Sequence, residues 1–238
     1  MHKDFPNLKQ PDGSISCGAY SLTACLDVMG LLPVPHRLFL YQIDLSKGAF
    51  VGEQVVLEPT DSLTETAEKI YLVTGIIDQS EYSKLVQDSG LNAISAMAYV
   101  LMCFGVKPQI ILRDESTYNQ LAAAYPQELR MSNALDVPIL CGMDNLAIDD
   151  DSYLMPTAVF HRENLHVVAM KPDGVWFDPE QDERPDWPAL VNWDSIPESE
   201  LGHEWLGVTL RIPLSQTSVD KHISGTGHDT TFLSTPAE

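Results

Sequence analysis

The texture of the chain changes halfway along, and that change limits the folds open to it. Up to about residue 124 the apolar residues recur mostly at helical spacing; beyond that they come in short β-rich runs. Leu22, Cys25, Leu26 and Met29 line one face of a helix that begins near Cys17, and Gly30 suits the position just past its end. Asp61 or Ser62 can cap a second helix running to about Thr74. Ser80 to Val86 reads as a short helix, Asn92 to Phe104 as a buried one stopped by Gly105, and Ser116 to Ala124 as another. Pro33, Pro35, Gly48 and Gly52 break the stretch from Leu31 to Pro59, which reads as irregular.

Pro108 to Leu112, Val137 to Cys141, Leu154 to Phe160 and Leu206 to Ile212 have strand character. Leu165 to Met170 and Val175 to Asp178 flank Lys171-Pro172-Asp173-Gly174, and two β-rich runs joined by Pro-Asp-Gly make a hairpin. Helices first and strands second predict an α+β fold, a helical N-terminal half packed on a C-terminal antiparallel sheet. At 238 residues the chain suits one domain, expected over residues 1–214. Residues 215–238 are polar and rich in Gly, Ser and Thr, which predicts a flexible tail.

Charge and composition narrow the function. With 14 basic against 34 acidic residues the formal charge is −20, which argues against nucleic acid as a partner, since phosphate binding needs a positive surface. There is no run of about 18 apolar residues, so no membrane span is expected. The start, Met1 to Pro6, has no apolar stretch of the secretory kind, which predicts folding in the cytoplasm. The four cysteines show neither Cys-x-x-Cys pairing nor zinc-ligand spacing, so free thiols and no metal or other cofactor are expected. Cys25, Cys103 and Cys141 lie among apolar neighbours and read as small buried hydrophobes. The run Asp149-Asp150-Asp151 lacks the glycine and terminal glutamate of a calcium loop and reads as solvated. Trp176, Trp187, Trp193 and Trp205 read as core packing.

Cys17 is different. It follows a turn-rich leader and opens a helix, where partial positive charge and unpaired N–H groups favour a thiolate. Gly18 would permit a close approach by substrate or backbone. A thiol nucleophile needs a base from elsewhere. Of the seven histidines, His166 is the best placed, at the start of a strand in the hairpin, with Asp178 closing the partner strand within reach of it. His161, at an odd offset on an extended strand, should face the other way. Gln10 could add a side-chain amide to the Cys17 N–H in an oxyanion hole.

The order Gln10, Cys17-Gly18-Ala19, His166-Val167-Val168 and Asp178-Pro179 resembles C39-like members of the papain-like cysteine peptidase superfamily. The resemblance implies a papain-like fold, with Gln10 in the oxyanion hole, Cys17 as nucleophile, His166 as base and Asp178 orienting the histidine. It implies thiol-dependent acyl transfer on a peptide, amide or thioester. Peptidase or amide hydrolase is the first expectation; acyltransferase, glutamine deamidase and a catalytically silent binding module are the alternatives. A protein partner is left open.

Overall fold

The computed structural model describes residues 3–146, 152–156, 159–161, 164–196, 202 and 204–214. The acidic run at 149–151 and the polar segment 215–238 lie outside the described residues.

Helix α1 (Cys17–Val28) is buried at every position, not on one face as its periodicity predicts. Three of its polar side chains are buried with a partner each. Ser21 Oγ donates to the Val167 carbonyl (3.0 Å), Thr23 Oγ1 to the Ala19 carbonyl (2.8 Å), and Asp27 Oδ1 accepts from Lys3 Nζ (2.7 Å). Gly30, at φ +74°, takes the left-handed conformation that ends the helix. Around α1 pack α2 (Leu63–Thr74) and α3 (Ile94–Cys103). A capping box starts α2: Ser62 Oγ accepts from the Glu65 N–H, and Glu65 Oε2 accepts from the Ser62 N–H.

The segment read as irregular contains an antiparallel pair, β1 (Leu38–Tyr41) with β2 (Gln54–Leu57), whose prolines precede β1 and whose Gly48 and Gly52 fall in the connection. The short helix expected at Ser80–Val86 does not form. Asp78 Oδ1 accepts from the N–H groups of Ser80 and Glu81 and from the Ser80 hydroxyl, which closes a turn instead. The flanking strands β3 (Gly75–Ile77) and β4 (Leu91–Asn92) pair across it.

A six-stranded sheet has the order β11-β10-β7-β13-β5-β6. Its members are β5 (Gln109–Leu112), β6 (Ile139–Cys141), β7 (Ser152–Pro156), β10 (Ala169–Met170), β11 (Trp176–Phe177) and β13 (Val208–Pro213). The expected all-antiparallel sheet is corrected at one edge, where β5 and β6 run parallel. Two helices between them, α4 (Glu115–Ala124) and α5 (Pro126–Ala134), supply the long crossover that a parallel pair requires. A separate sheet of β12 (Glu204–Trp205), β8 (Val159–His161) and β9 (Asn164–His166) flanks it.

Alternation along the strands builds two cores. Ile110, Leu112, Tyr153, Met155, Leu210 and Ile212 face the helices. Ile111, Leu154 and Met170 face the opposite way, under Trp176, Trp193 and Trp205. Trp176 stacks on Trp193 with centroids 4.7 Å apart, so the tryptophans pack as expected. Cys25 is fully buried and Cys103 half-buried, and burial raises both thiols above their ordinary pKa. Cys141 departs from expectation: it ends the edge strand β6 and is exposed.

Candidate active site

Cys17 is the first residue of α1. Ser16, at the N-cap, makes no side-chain cap, and Asn92 does that work from the end of β4. Asn92 Oδ1 accepts from the Ala19 N–H (3.1 Å) and from Thr74 Oγ1 (2.8 Å), while Nδ2 donates to the Ile15 carbonyl (2.8 Å). These three bonds fix the turn in which the thiol stands. Gly18 is explained by the same clamp: a Cβ there would lie 2.6 Å from Asn92 Cβ, so the close approach it permits is Asn92's. Sequence reading takes Asn92 for the start of α3, the helix immediately after it. The N-cap of α3 is instead Ala93, and the Asn92 side chain serves a helix far away in sequence.

His166 ends β9 and does not open the hairpin strand. Val167 and Val168 leave the extended ladder before β10 begins, so the histidine belongs to the small sheet and Asp178 follows the edge strand of the large one. The two nevertheless meet, with His166 Nε2 2.8 Å from Asp178 Oδ1. Asp178 has a completely buried side chain and accepts further bonds from the Glu180 N–H (2.9 Å) and Gln181 Nε2 (2.7 Å). Burial alone would raise its carboxyl, but the His166 hydrogen bond and charge and these donors hold it below the ordinary carboxylate value.

His166 also makes a side-chain hydrogen bond with Cys17. Burial pulls the imidazolium down, and the bonds and charges of Asp178 and Cys17 outweigh it, raising the pKa to about 10. Ser21, one turn after Cys17, holds the carbonyl of the residue following His166 and so ties the thiol's helix to the histidine's strand. The structure thus brings Cys17, His166 and Asp178 together. The side chain of His161 lies outside the described residues.

Gln10 joins the same neighbourhood. Its N–H donates to the Pro179 carbonyl (2.9 Å), and its Nε2 donates to the Ser14 carbonyl (3.2 Å) and to Glu180 Oε1 (3.1 Å). That Glu180 oxygen is 3.9 Å from His166 Nδ1. Gln10 Oε1 is buried without a hydrogen-bond partner among the described residues. Nothing in the sequence marks Glu180 beyond its place two residues after Asp178.

A cleft of about 970 Å³, open to solvent, takes in Cys17, Asn92 and His166 and is walled mainly by apolar groups, including Leu91, Ile94, Leu121 and Val208. Among the described residues, no group of three or more His, Cys, Asp or Glu is arranged to hold a metal ion.

The model of one protein family, Invasion plasmid antigen J, cysteine protease, matches residues 9–210. The chain belongs to this family. The matched span starts one residue before Gln10 and contains Cys17, His166, Asp178 and the cleft. Membership in the invasion plasmid antigen J family bears out the sequence resemblance at the level of a cysteine protease. No curated protein and no solved structure gives a match. Among the described residues, no helix is long and apolar enough to cross a membrane.

Proposed function

We propose that the chain is a peptidase with papain-like architecture, related to the C39-like enzymes, in which residues 1–214 form the catalytic domain. Cys17 is the nucleophile, His166 the base, Asp178 the group that orients it, and Gln10 an oxyanion donor. The observation that carries this reading is His166 hydrogen-bonded to both Cys17 and the buried Asp178, beside the first turn of a fully buried helix. Asp178 fixes the ring and balances the imidazolium, and the helix terminus favours the thiolate.

Cys17 Sγ attacks the peptide carbonyl carbon, and the resulting oxyanion takes hydrogen bonds from the Cys17 N–H and Gln10 Nε2. The Cys17 N–H suits this role because a first-turn N–H has no acceptor within its helix. Gln10 now donates to Glu180, so the oxyanion replaces the Glu180 oxygen as acceptor. His166 Nδ1–H protonates the leaving amine, the C–N bond breaks, and a thioester remains on Cys17. A water then gives a proton to Nδ1 as its oxygen attacks the thioester, which releases a carboxylic acid and restores the thiolate–imidazolium pair. The apolar cleft suits a substrate with an apolar group beside the scissile bond.

The test is incubation with a proteome-derived peptide library and mass spectrometry of new N-termini. Wild type is expected to generate them and a folded Cys17→Ala variant none. Equal cleavage by both would overturn the reading. A thioester that passes only to added amines would make the enzyme an acyltransferase.

A further inference from the structure

The side-chain donor that the mechanism calls on is already occupied. An amide nitrogen has two N–H groups, and Gln10 gives one to the Ser14 carbonyl (3.2 Å) and the other to Glu180 Oε1 (3.1 Å). Turning the amide over would set its oxygen against that carbonyl and that carboxylate, so the network allows this orientation alone. The same Glu180 oxygen stands 3.9 Å from His166 Nδ1, so one carboxylate lies between the oxyanion donor and the acid of the reaction. An oxyanion forming on Gln10 would meet that negative charge, and like charges this close repel. The turn that carries Glu180 is fixed, but its carboxylate is not. Asp178 Oδ1 accepts from the Glu180 N–H (2.9 Å), the Pro179 carbonyl accepts from the Gln10 N–H (2.9 Å), and the Gln181 N–H donates back to the Asp178 carbonyl (3.2 Å). Gln10 is 4% exposed, whereas the Glu180 side chain is 43% exposed. Among the described residues no Lys or Arg holds that carboxylate, and Lys9, next to Gln10 in sequence, pairs with Asp182.

We propose that Glu180 is a gate on the oxyanion hole: in the free enzyme its carboxylate takes the place of the oxyanion on Gln10, and the hole opens when that side chain turns out to solvent. The bonds that orient Asp178 and the Gln10 backbone survive the move, because none of them uses the Glu180 side chain. The resting site is thereby one donor short, and binding must displace a charge-assisted hydrogen bond before the oxyanion can form. Glu180 acts through Gln10 and takes no part in making or breaking bonds. This inference deepens the reading of Cys17, Gln10 and His166 as an active site and rests on it.

The test uses the trifluoromethyl ketone of acetyl-leucyl-leucine. Cys17 Sγ adds reversibly to its carbonyl carbon, and the C=O electron pair moves to the oxygen. The fluorines keep that oxygen an anion, placed where the peptide oxyanion forms. Binding is read by peptide mapping as protection of Cys17 from iodoacetamide, with each protein's own unprotected rate as the reference, so the alkylation rates need not match between proteins. Glu180→Ala is expected to tighten binding by about tenfold, the scale of one hydrogen bond to a charged group. In a Gln10→Ala background the same change should gain clearly less, because the donor that it frees is absent. Wild type that binds the ketone as tightly as Glu180→Ala, or more tightly, would overturn the gate with no further variant needed. An equal gain in both backgrounds would overturn it too, since the loss of a nearby negative charge would then account for the whole effect. In either case a protected Cys17 leaves the active-site reading standing. No protection of Cys17 in any of these proteins would overturn that reading, and the gate with it.

Discussion

Replacing Glu128 by Gln should change how stability depends on pH, and the size and sign follow from its burial. Desolvation lifts the Glu128 carboxyl from 4.5 to about 7, with the Ser95 hydrogen bonds opposing the rise. A carboxyl raised in the folded state stabilises it fully below the unfolded value and loses that contribution as pH climbs through the folded one. Below 4.5 both states hold the proton; between 4.5 and about 7 the unfolded chain releases it first, so unfolding is favoured. That rise, from 4.5 to about 7, corresponds to roughly 3 kcal/mol. Gln carries no proton to lose and keeps the cap on α3, so the variant escapes this loss. Urea unfolding, followed by fluorescence of the stacked tryptophans, would compare wild type and variant from about pH 5 to about pH 8. The many surface carboxylates titrate alike in both proteins and cancel in the difference. The variant should gain on wild type through that interval, by up to roughly 3 kcal/mol, and then run parallel to it. Parallel profiles throughout would refute the argument that burial raises the Glu128 carboxyl.

Other substitutions probe how the thiol and histidine are held. Gly18→Ala drives a methyl against Asn92 and should cost about 1–3 kcal/mol, with a larger fractional loss of Cys17 alkylation than of folded protein, read by thermal melting and peptide mapping. Ser21→Ala leaves the Val167 carbonyl without its donor and should cost about 1–3 kcal/mol in urea unfolding while slowing Cys17 alkylation at neutral pH. Asp178→Asn leaves only a neutral acceptor and removes a charge that raises the His166 pKa, so the imidazole titration seen by NMR should move down and turnover should fall on the order of a hundredfold or more. An unmoved His166 titration would show that Asp178 does not set the ring's charge.

The local parts of the fold were legible in the sequence. Ser62 with Glu65 announces the start of α2, Gly30 the end of α1, and Pro-Asp-Gly the hairpin of β10 and β11, because each signal acts within a few residues. The order Gln10, Cys17, His166, Asp178 was legible in the same way, as short motifs. What depends on distant partners was not. The burial of Ser21 and Asp27 depends on an acceptor at Val167 and a donor at Lys3 that no periodicity displays. The pairing of β6 parallel to β5 depends on α5, which opens at Pro126 with few apolar positions to signal it. Asn92 reads locally as a helix start, yet its partner Ala19 lies 73 residues away. Glu128 carries no local signal of its role, which is to cap α3. His166 shows the mixture: its role as the candidate base was legible, while the break at Val167 and Val168 that moves it into a different sheet was not.

The central claim is that Cys17 and His166 form a thiolate–imidazolium pair, and the most direct measurement is the rate of Cys17 alkylation by iodoacetamide against pH. It would be followed by peptide mapping in wild type and His166→Ala. The account predicts reactivity that persists below about pH 7 in wild type and collapses in the variant. Reactivity that rises only near about pH 8.5, and is the same in both proteins, would contradict it.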